Sequence, residues 1–151
     1  MPRTFRSRLF QAWWRWRRPL TLGVRGIVVD AQGKVLLVRH TYTPGWHFPG
    51  GGVEKRETAQ EALLRELKEE AGIEPAESAK LISVHANHAY FPNDHVLVFR
   101  IDRWRQSEPT QRGEIAESGF FDPQNPPTDT TPPTRRRLAE TFLGAPVGQT
   151  W

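Results

Sequence analysis

Residues 49–73 have the sequence PGGGVEKRETAQEALLRELKEEAGI, and this stretch decides how the chain is organised. Its second half predicts a helix from Thr58 to Ala71, because Thr58 can cap the first turn in a capping box with Glu61. Gly72 follows as a residue suited to end the helix. Three apolar residues are expected to form the face that meets the core, namely Leu64, Leu67 and Ala71.

Three glutamates of this helix, Glu66, Glu69 and Glu70, are spaced i, i+3 and i+4 and therefore lie on one face. Like charges at this spacing repel by about 0.2–0.5 kcal/mol per pair. A divalent cation among the oxygens relieves that repulsion, and Mg²⁺ is typically held by a few carboxylates, water and substrate phosphate. The simpler interpretation is a charged, solvated helix face. The three glycines from Gly50 to Gly52 weaken it, because they let backbone approach a ligand closely.

The spacing of the whole stretch carries a family resemblance. Gly51 is followed by five residues, Glu57, seven residues and then RELKEEAGI, which ends at Ile73. This pattern resembles the signature of Nudix hydrolases, the Nudix box, with every fixed position filled. The resemblance implies an α+β fold, an α/β/α sandwich with a mixed β-sheet in which the box forms a loop–helix–loop. It places this domain at residues 20–151.

The resemblance also implies roles for the residues of the box. Glu66, Glu69 and Glu70 would bind Mg²⁺ or Mn²⁺, with Glu66 nearest the attacking water, and Glu69 and Arg65 would share in catalysis, Arg65 by orienting Glu66. From the residues alone, Arg65 can hold a neighbouring carboxylate or face a phosphate. Four further residues would assist: Glu57 in the metal network, the Gly50 carbonyl as a ligand, and Gly51 and Gly72 at the backbone turns.

Relatives of this kind often add a carboxylate from a later loop. Glu114 is the candidate, and Glu117 is its alternative. Residues that would form the substrate pocket are Tyr42, Trp46, His47 and Tyr90, although Trp46 can equally fill the core. The region from His85 to His95 holds three histidines, which we expect to be exposed or to line a pocket.

The implied reaction is the Mg²⁺-dependent cleavage of a nucleoside diphosphate linked to another moiety (NDP-X) into NMP and P-X, by water attack on phosphorus. The alternatives are a non-catalytic Nudix-fold module that senses a nucleotide, and a hydrolase of dinucleoside polyphosphates or RNA 5′ ends. The expected partner is a small nucleotide. The sequence does not choose among substrates.

Composition excludes other chemistry. The chain has no cysteine, so disulfides, thiol nucleophiles and zinc–thiolate sites are ruled out. No apolar run approaches the roughly 20 residues that span a bilayer. We expect a cytoplasmic protein.

Residues 1–19 form a distinct basic segment with six arginines and no acid, so the formal net charge of +4 becomes −2 for the remainder. Nucleic-acid binding by the domain is therefore not expected. Apolar and tryptophan side chains share one face of a helix drawn through this segment. It is interpreted as a helix that packs on its own domain or on a second subunit in a homodimer, as an interfacial membrane helix, or as a partly disordered arm.

Patterns of β-branched and apolar residues predict the other elements. Strands are expected at 24–29, 35–38, 81–87, 95–101 and 118–121, with a short extended piece at 46–48. A turn at 30–33 would join the first two strands as a hairpin. A last helix over 135–143 would be capped by Thr134.

Overall fold

The computed structural model describes residues 13, 16, 17, 19–111 and 113–151. Its strands and helices follow one another in this order: β1 Thr21–Val28, β2 Val35–His40, β3 Trp46–His47, α1 Ala59–Ala71, β4 Ile73–Pro75, β5 Lys80–Ala86, β6 Asp94–Ile101, β7 Trp104–Gln106, β8 Ile115–Phe121 and α2 Pro132–Phe142.

The strands belong to three hydrogen-bonded sheets. In the first, of order β1-β6-β5, β6 is parallel to β1 and antiparallel to β5. The second, β3-β2-β8, and the third, β4-β7, are antiparallel. Each face of β1 meets a different apolar cluster, one containing α1 and the other α2. The predicted α+β architecture, with helices on both sides of mixed β-structure, is confirmed.

The predicted hairpin between β1 and β2 is wrong. The turn itself forms, since Asp30 Oδ1 accepts hydrogen bonds from the backbone of Gln32 and Lys34. Beyond a single bridge between Val29 and Val35, however, the two strands separate into different sheets. One edge of β1 pairs with β6, and residues 49–53 hydrogen-bond along its other edge, so β1 has no edge free for β2.

Helix α1 begins and ends as predicted. Thr58 and Glu61 form a reciprocal capping box, and Gly72 adopts the left-handed conformation with φ 63°. Of the three residues expected to face the core, Leu67 and Ala71 are buried, but Leu64 is 40% exposed and its neighbour Leu63 is 0% exposed in its place. Successive helical residues lie about 100° apart, so the buried face also includes Ala62 and Glu70, which are one helical turn or less from Leu63 and Leu67.

Helix α2 begins earlier than predicted. Its N-cap is Thr131, and prolines occupy the first positions, where a fixed φ and a missing N–H are tolerated. Thr134 is therefore inside the helix and buried, with its hydroxyl 2.8 Å from that of Thr131. The sequence patterns also missed β4 and β7, three residues each, which are too short to show an alternation.

Most of the N-terminal segment, and with it most of its predicted helix, lies outside the described residues. The described residues Trp13, Trp16 and Arg17 are helical and exposed, with the Arg17 guanidinium 5.5 Å from the centre of the Trp13 ring. Among the described residues, no helix is long and apolar enough to cross a membrane. Membrane contact and self-association through residues 1–19 stay predictions.

Candidate active site

Strand β1 positions the loop that precedes α1. The backbone of Val24 donates to the Gly51 carbonyl at 2.8 Å, and the backbone of Val53 donates to the Leu22 carbonyl at 2.8 Å. Gly50 has φ 146°, and any side chain there would collide with the Val24 backbone. The glycines therefore allow the loop to lie directly against the strand.

Arg65 organises two of the glutamates. Its Nε and Nη2 donate to the two carboxylate oxygens of Glu57 at 2.8 and 3.0 Å, and its Nη1 donates to Glu66 Oε1 at 2.7 Å. Nη2 also reaches the Gly52 carbonyl. Hydrogen bonds from Arg65 lower the pKa of Glu57 to about 2. Of the two interpretations left open by the sequence, the structure shows the one in which Arg65 holds carboxylates.

Glu66 lies between α1 and the glycine loop. Its side chain is 14% exposed, and a Cβ added at Gly51 would lie 2.6 Å from its carboxyl carbon. Burial raises the pKa of Glu66, against the opposing hydrogen bond from Arg65. Glu69 is less engaged, since its carboxylate lies 3.6 Å from Arg65 Nη1.

Glu70 is the buried member of the cluster, at 5% exposure. Its Oε1 lies 2.9 Å from His40 Nε2, and its Oε2 accepts the backbone N–H of Gly50 at 2.9 Å. One carboxylate thus joins α1, the end of β2 and the glycine loop. Sequence reasoning missed His40, although a polar residue at the end of an apolar strand was a usable signal.

The donor chemistry fits a hard cation, because Glu66, Glu69 and Glu70 bring carboxylate oxygens to one region. In this conformation, no group of three or more His, Cys, Asp or Glu side chains among the described residues is arranged to hold a metal. Both oxygens of Glu70 and one of Glu66 instead accept hydrogen bonds from the protein. A cation would compete with these donors, and at the Gly50 carbonyl with Arg25 Nη1, which donates to it at 2.5 Å.

The loop before β8 brings Glu114 toward the same region. Its carbonyl accepts the Thr41 N–H at 2.8 Å, and its carboxylate accepts a hydrogen bond from Gln111. The pKa of Tyr42 is raised, first by loss of solvent and then by the charges of Glu114 and Glu70. Glu117 pairs with Arg39 at 3.6 Å and lines a cavity together with Glu70.

The four predicted pocket residues have different environments. Trp46 is 3% exposed and packs edge-on against Phe121 in the core. His47 lies with its ring 5.5 Å from that of His40, and burial lowers its pKa. Tyr42 and Tyr90 are exposed.

The expectation that all three later histidines would be exposed or line a pocket is wrong for His85. It is fully buried, and its Nε2 lies 2.8 Å from Ser83 Oγ.

Two cavities border the box. The acidic cavity, of about 470 Å³, is lined by residues that include Glu70, Glu108 and Glu117. The β1 cavity, of about 360 Å³, has a lining that includes Gly23, Arg25, Gly51, Phe91, Asp94 and Trp151.

The fold is an α+β sandwich, and its candidate active site consists of a glycine loop and a capped helix that bring several glutamates close together next to two cavities. A family model described as the NUDIX domain matches residues 19–142, and the chain belongs to the Nudix family. An 8-oxo-dGTP diphosphatase of Proteus vulgaris is 32% identical over 94 residues, 58% of this chain and 81% of that protein.

Other similarities are more local or purely structural. An RNA pyrophosphohydrolase of Hydrogenovibrio crunogenus is 47% identical over 51 residues, 34% of this chain and 31% of that protein. The chain thus covers only about three tenths of the length of such relatives. A MutT NUDIX hydrolase from Burkholderia pseudomallei superimposes with a TM-score of 0.70 at 26% identity, covering 81% of this chain and 98% of that one.

Proposed function

We propose that the chain is a divalent-cation-dependent pyrophosphohydrolase that cleaves a nucleoside diphosphate linked to another moiety into NMP and P-X. The observation that carries this proposal is the arrangement of Glu66, held by Arg65 and lying against the Gly51 backbone. It leaves a half-buried carboxylate in a defined orientation at the junction of helix and loop. The catalytic domain comprises residues 20–151.

In this mechanism Glu66 takes the proton of the attacking water, which requires a carboxylate within hydrogen-bond reach of that water. Arg65 positions Glu66, and Glu57 holds Arg65 through two hydrogen bonds. Glu70 fixes the Gly50 backbone relative to α1.

A bound Mg²⁺ or Mn²⁺ would activate water and neutralise phosphate charge. The residues that would hold it are Glu66, Glu69, Glu70, the Gly50 carbonyl and Glu114. The phosphate chain carries most of the reacting charge, so positioning and electrostatics dominate catalysis.

A second candidate is hydrolysis at RNA 5′ ends. It is supported by the 47% and 51% identity to proteins named RNA pyrophosphohydrolase, in alignments of 51 and 55 residues. The formal charge of −2 outside residues 1–19 favours a small nucleotide instead, because long nucleic acids are held by basic surfaces.

The test is a substrate panel of nucleoside diphosphate compounds, 8-oxo-dGTP and 5′-triphosphorylated RNA, each with Mg²⁺, Mn²⁺ or EDTA. Reaction in ¹⁸O-water shows which phosphorus receives the oxygen. Glu66→Gln should lower kcat by orders of magnitude and leave the fold intact, whereas the matched variant Glu77→Gln, on an exposed side chain, should behave as wild type. Near-wild-type turnover by Glu66→Gln would disprove the assigned role, and nucleotide binding without any turnover would support a sensing module.

A further inference from the structure

Arg25 is a half-buried arginine beside the box whose charge has no carboxylate partner. Within the described part of the chain it forms no ion pair, whereas Arg65 is shared among three glutamates. Its Nη1 donates to the Gly50 carbonyl at 2.5 Å and, more weakly, to the Phe48 carbonyl at 3.4 Å. Placing an uncompensated guanidinium in a partly desolvated position is costly unless it has an anion to bind.

The geometry of Arg25 leaves donors available. Nη1 is the only nitrogen of this side chain that has a hydrogen-bond partner among the described residues. Nε and Nη2 remain for a ligand, and a guanidinium with two such donors suits a phosphate oxygen pair. Gly50 at the same time donates its N–H to Glu70, so one residue connects Arg25 with the glutamate cluster.

The β1 cavity begins where Arg25 lies. Gly23, two residues earlier on the same face of β1, lines this cavity without contributing a side chain. A glycine inside a strand weakens it and often marks a place where a ligand approaches the backbone. Phe91, which is exposed, and Trp151 also line the cavity, and aromatic residues can stack on a base.

The carboxylate in the cavity lining is that of Asp94, whose oxygens accept hydrogen bonds from the Thr21 hydroxyl at 2.7 Å and the Asn87 amide at 2.8 Å. The backbone of Trp151 is held by its N–H bond to the Ala86 carbonyl at 2.9 Å. The lining thus combines a cation, aromatic residues and a carboxylate. The cation suits the phosphate of a nucleotide, the aromatic residues suit its base, and the carboxylate suits its hydroxyl or amino groups.

We propose that Arg25 binds a phosphate of the substrate and that the β1 cavity receives the nucleoside attached to it. This proposal rests on the proposed function, because it concerns the substrate of the same site. It assigns the task of phosphate recognition to Arg25, since Arg65 is already engaged by carboxylates.

Binding, measured without turnover, tests the proposal. The probes are inorganic pyrophosphate and α,β-methylene-ADP, which resists cleavage, titrated calorimetrically with and without Mg²⁺. Losing a charge-assisted pair of hydrogen bonds should weaken binding of both probes to Arg25→Met by about 10–100-fold. Arg25→Lys keeps the positive charge but loses the paired donors of the guanidinium, so its affinity for both probes should lie between those of Arg25→Met and wild type.

Gly23→Val separates the two halves of the proposal. A Cβ at Gly23 meets nothing closer than the Gly51 carbonyl at 3.6 Å, and valine suits a strand, so the fold should tolerate it. This variant should bind α,β-methylene-ADP more weakly than wild type and should bind pyrophosphate as tightly as wild type. Arg103→Met, on an exposed arginine paired with Glu77, is the control and should bind both probes as wild type.

Three outcomes overturn the proposal: wild-type affinity of Arg25→Met for both probes, no binding of either probe by the wild type, or equal weakening of both probes by Gly23→Val. Should Arg25→Met fail to fold in a thermal unfolding control, Arg25→Lys decides by the same criterion. If the probes bind as expected but no substrate is hydrolysed, the proposed function fails and the binding assignment stands.

Discussion

Replacing Gly51 by alanine should move the Glu66 carboxylate without disturbing the fold. The added Cβ would lie 2.6 Å from the carboxyl carbon of Glu66, whereas ordinary contact begins at 3.4 Å. The carboxyl carbon must therefore move by at least about 0.8 Å, and a displacement near 1 Å at a catalytic group costs about 100-fold in rate. We expect kcat to fall by about that factor.

The stability cost should be small, because the obstructing atoms belong to the end of a flexible side chain. The main loss is the hydrogen bond between Arg65 and Glu66. Because both side chains keep some solvent contact, this bond contributes about 1–2 kcal/mol to the free energy of unfolding. Urea unfolding in EDTA measures this free energy, and steady-state turnover of the fastest substrate in the panel measures kcat.

Gly52→Ala is the matched control, since an added Cβ there has no atom within 4 Å. It should retain wild-type kcat and stability. If Gly51→Ala and Gly52→Ala have kcat values within about threefold of each other, a difference below 1 kcal/mol in the barrier, then the position of Glu66 against Gly51 does not matter for catalysis.

Three further predictions concern stability. Leu63→Ala should lower the free energy of unfolding by about 2–5 kcal/mol because it empties a fully buried position, whereas exposed Leu64→Ala should cost about 1 kcal/mol or less; equal losses in urea unfolding would contradict the assigned helix face. The pKa of Glu57 is lowered from 4.5 to about 2, so the stability that ionised Glu57 contributes to the fold is full above pH 4.5 and is lost as the pH falls toward 2. Glu57→Gln should therefore make the free energy of unfolding depend less on pH in this range. An unchanged pH dependence in the variant would refute this prediction. Glu70→Gln should lower the free energy of unfolding in EDTA by about 1–3 kcal/mol, because an amide offers one acceptor oxygen where the carboxylate accepts hydrogen bonds on both oxygens. A loss below about 0.5 kcal/mol would argue against a stabilising role for these two hydrogen bonds.

The two arginines next to the glycine loop differ in what surrounds them. Arg65 lies within the box and is surrounded by acids, so its charge is used to hold Glu57 and Glu66. Arg25 comes from β1, far away in sequence, and meets only backbone carbonyls. An arginine is thus held by carboxylates in one place and by backbone carbonyls in the other, and the proposed roles, orienting Glu66 and binding a phosphate, follow from that difference.

The sequence alone was sufficient for features that depend on neighbouring residues. The capping box at Thr58 and the helix end at Gly72 follow from residue types at helical spacing, whereas the hydrogen bond from Arg65 to Glu66 was expected from the family resemblance and the one from Arg65 to Glu57 was not predicted. The strands with strong apolar patterns were also found, with ends shifted by up to three residues.

Only the tertiary structure decided which groups meet across long stretches of chain. The bond from His40 to Glu70 joins residues 30 positions apart, and the bond from Arg25 to Gly50 joins residues 25 apart. The separation of β1 from β2 likewise depends on distant residues, because β6 pairs with one edge of β1 and residues 49–53 hydrogen-bond along the other. Helical periodicity determines contacts within about two turns, whereas strand partners and buried polar pairs depend on how whole elements pack, which no local pattern in one sequence specifies.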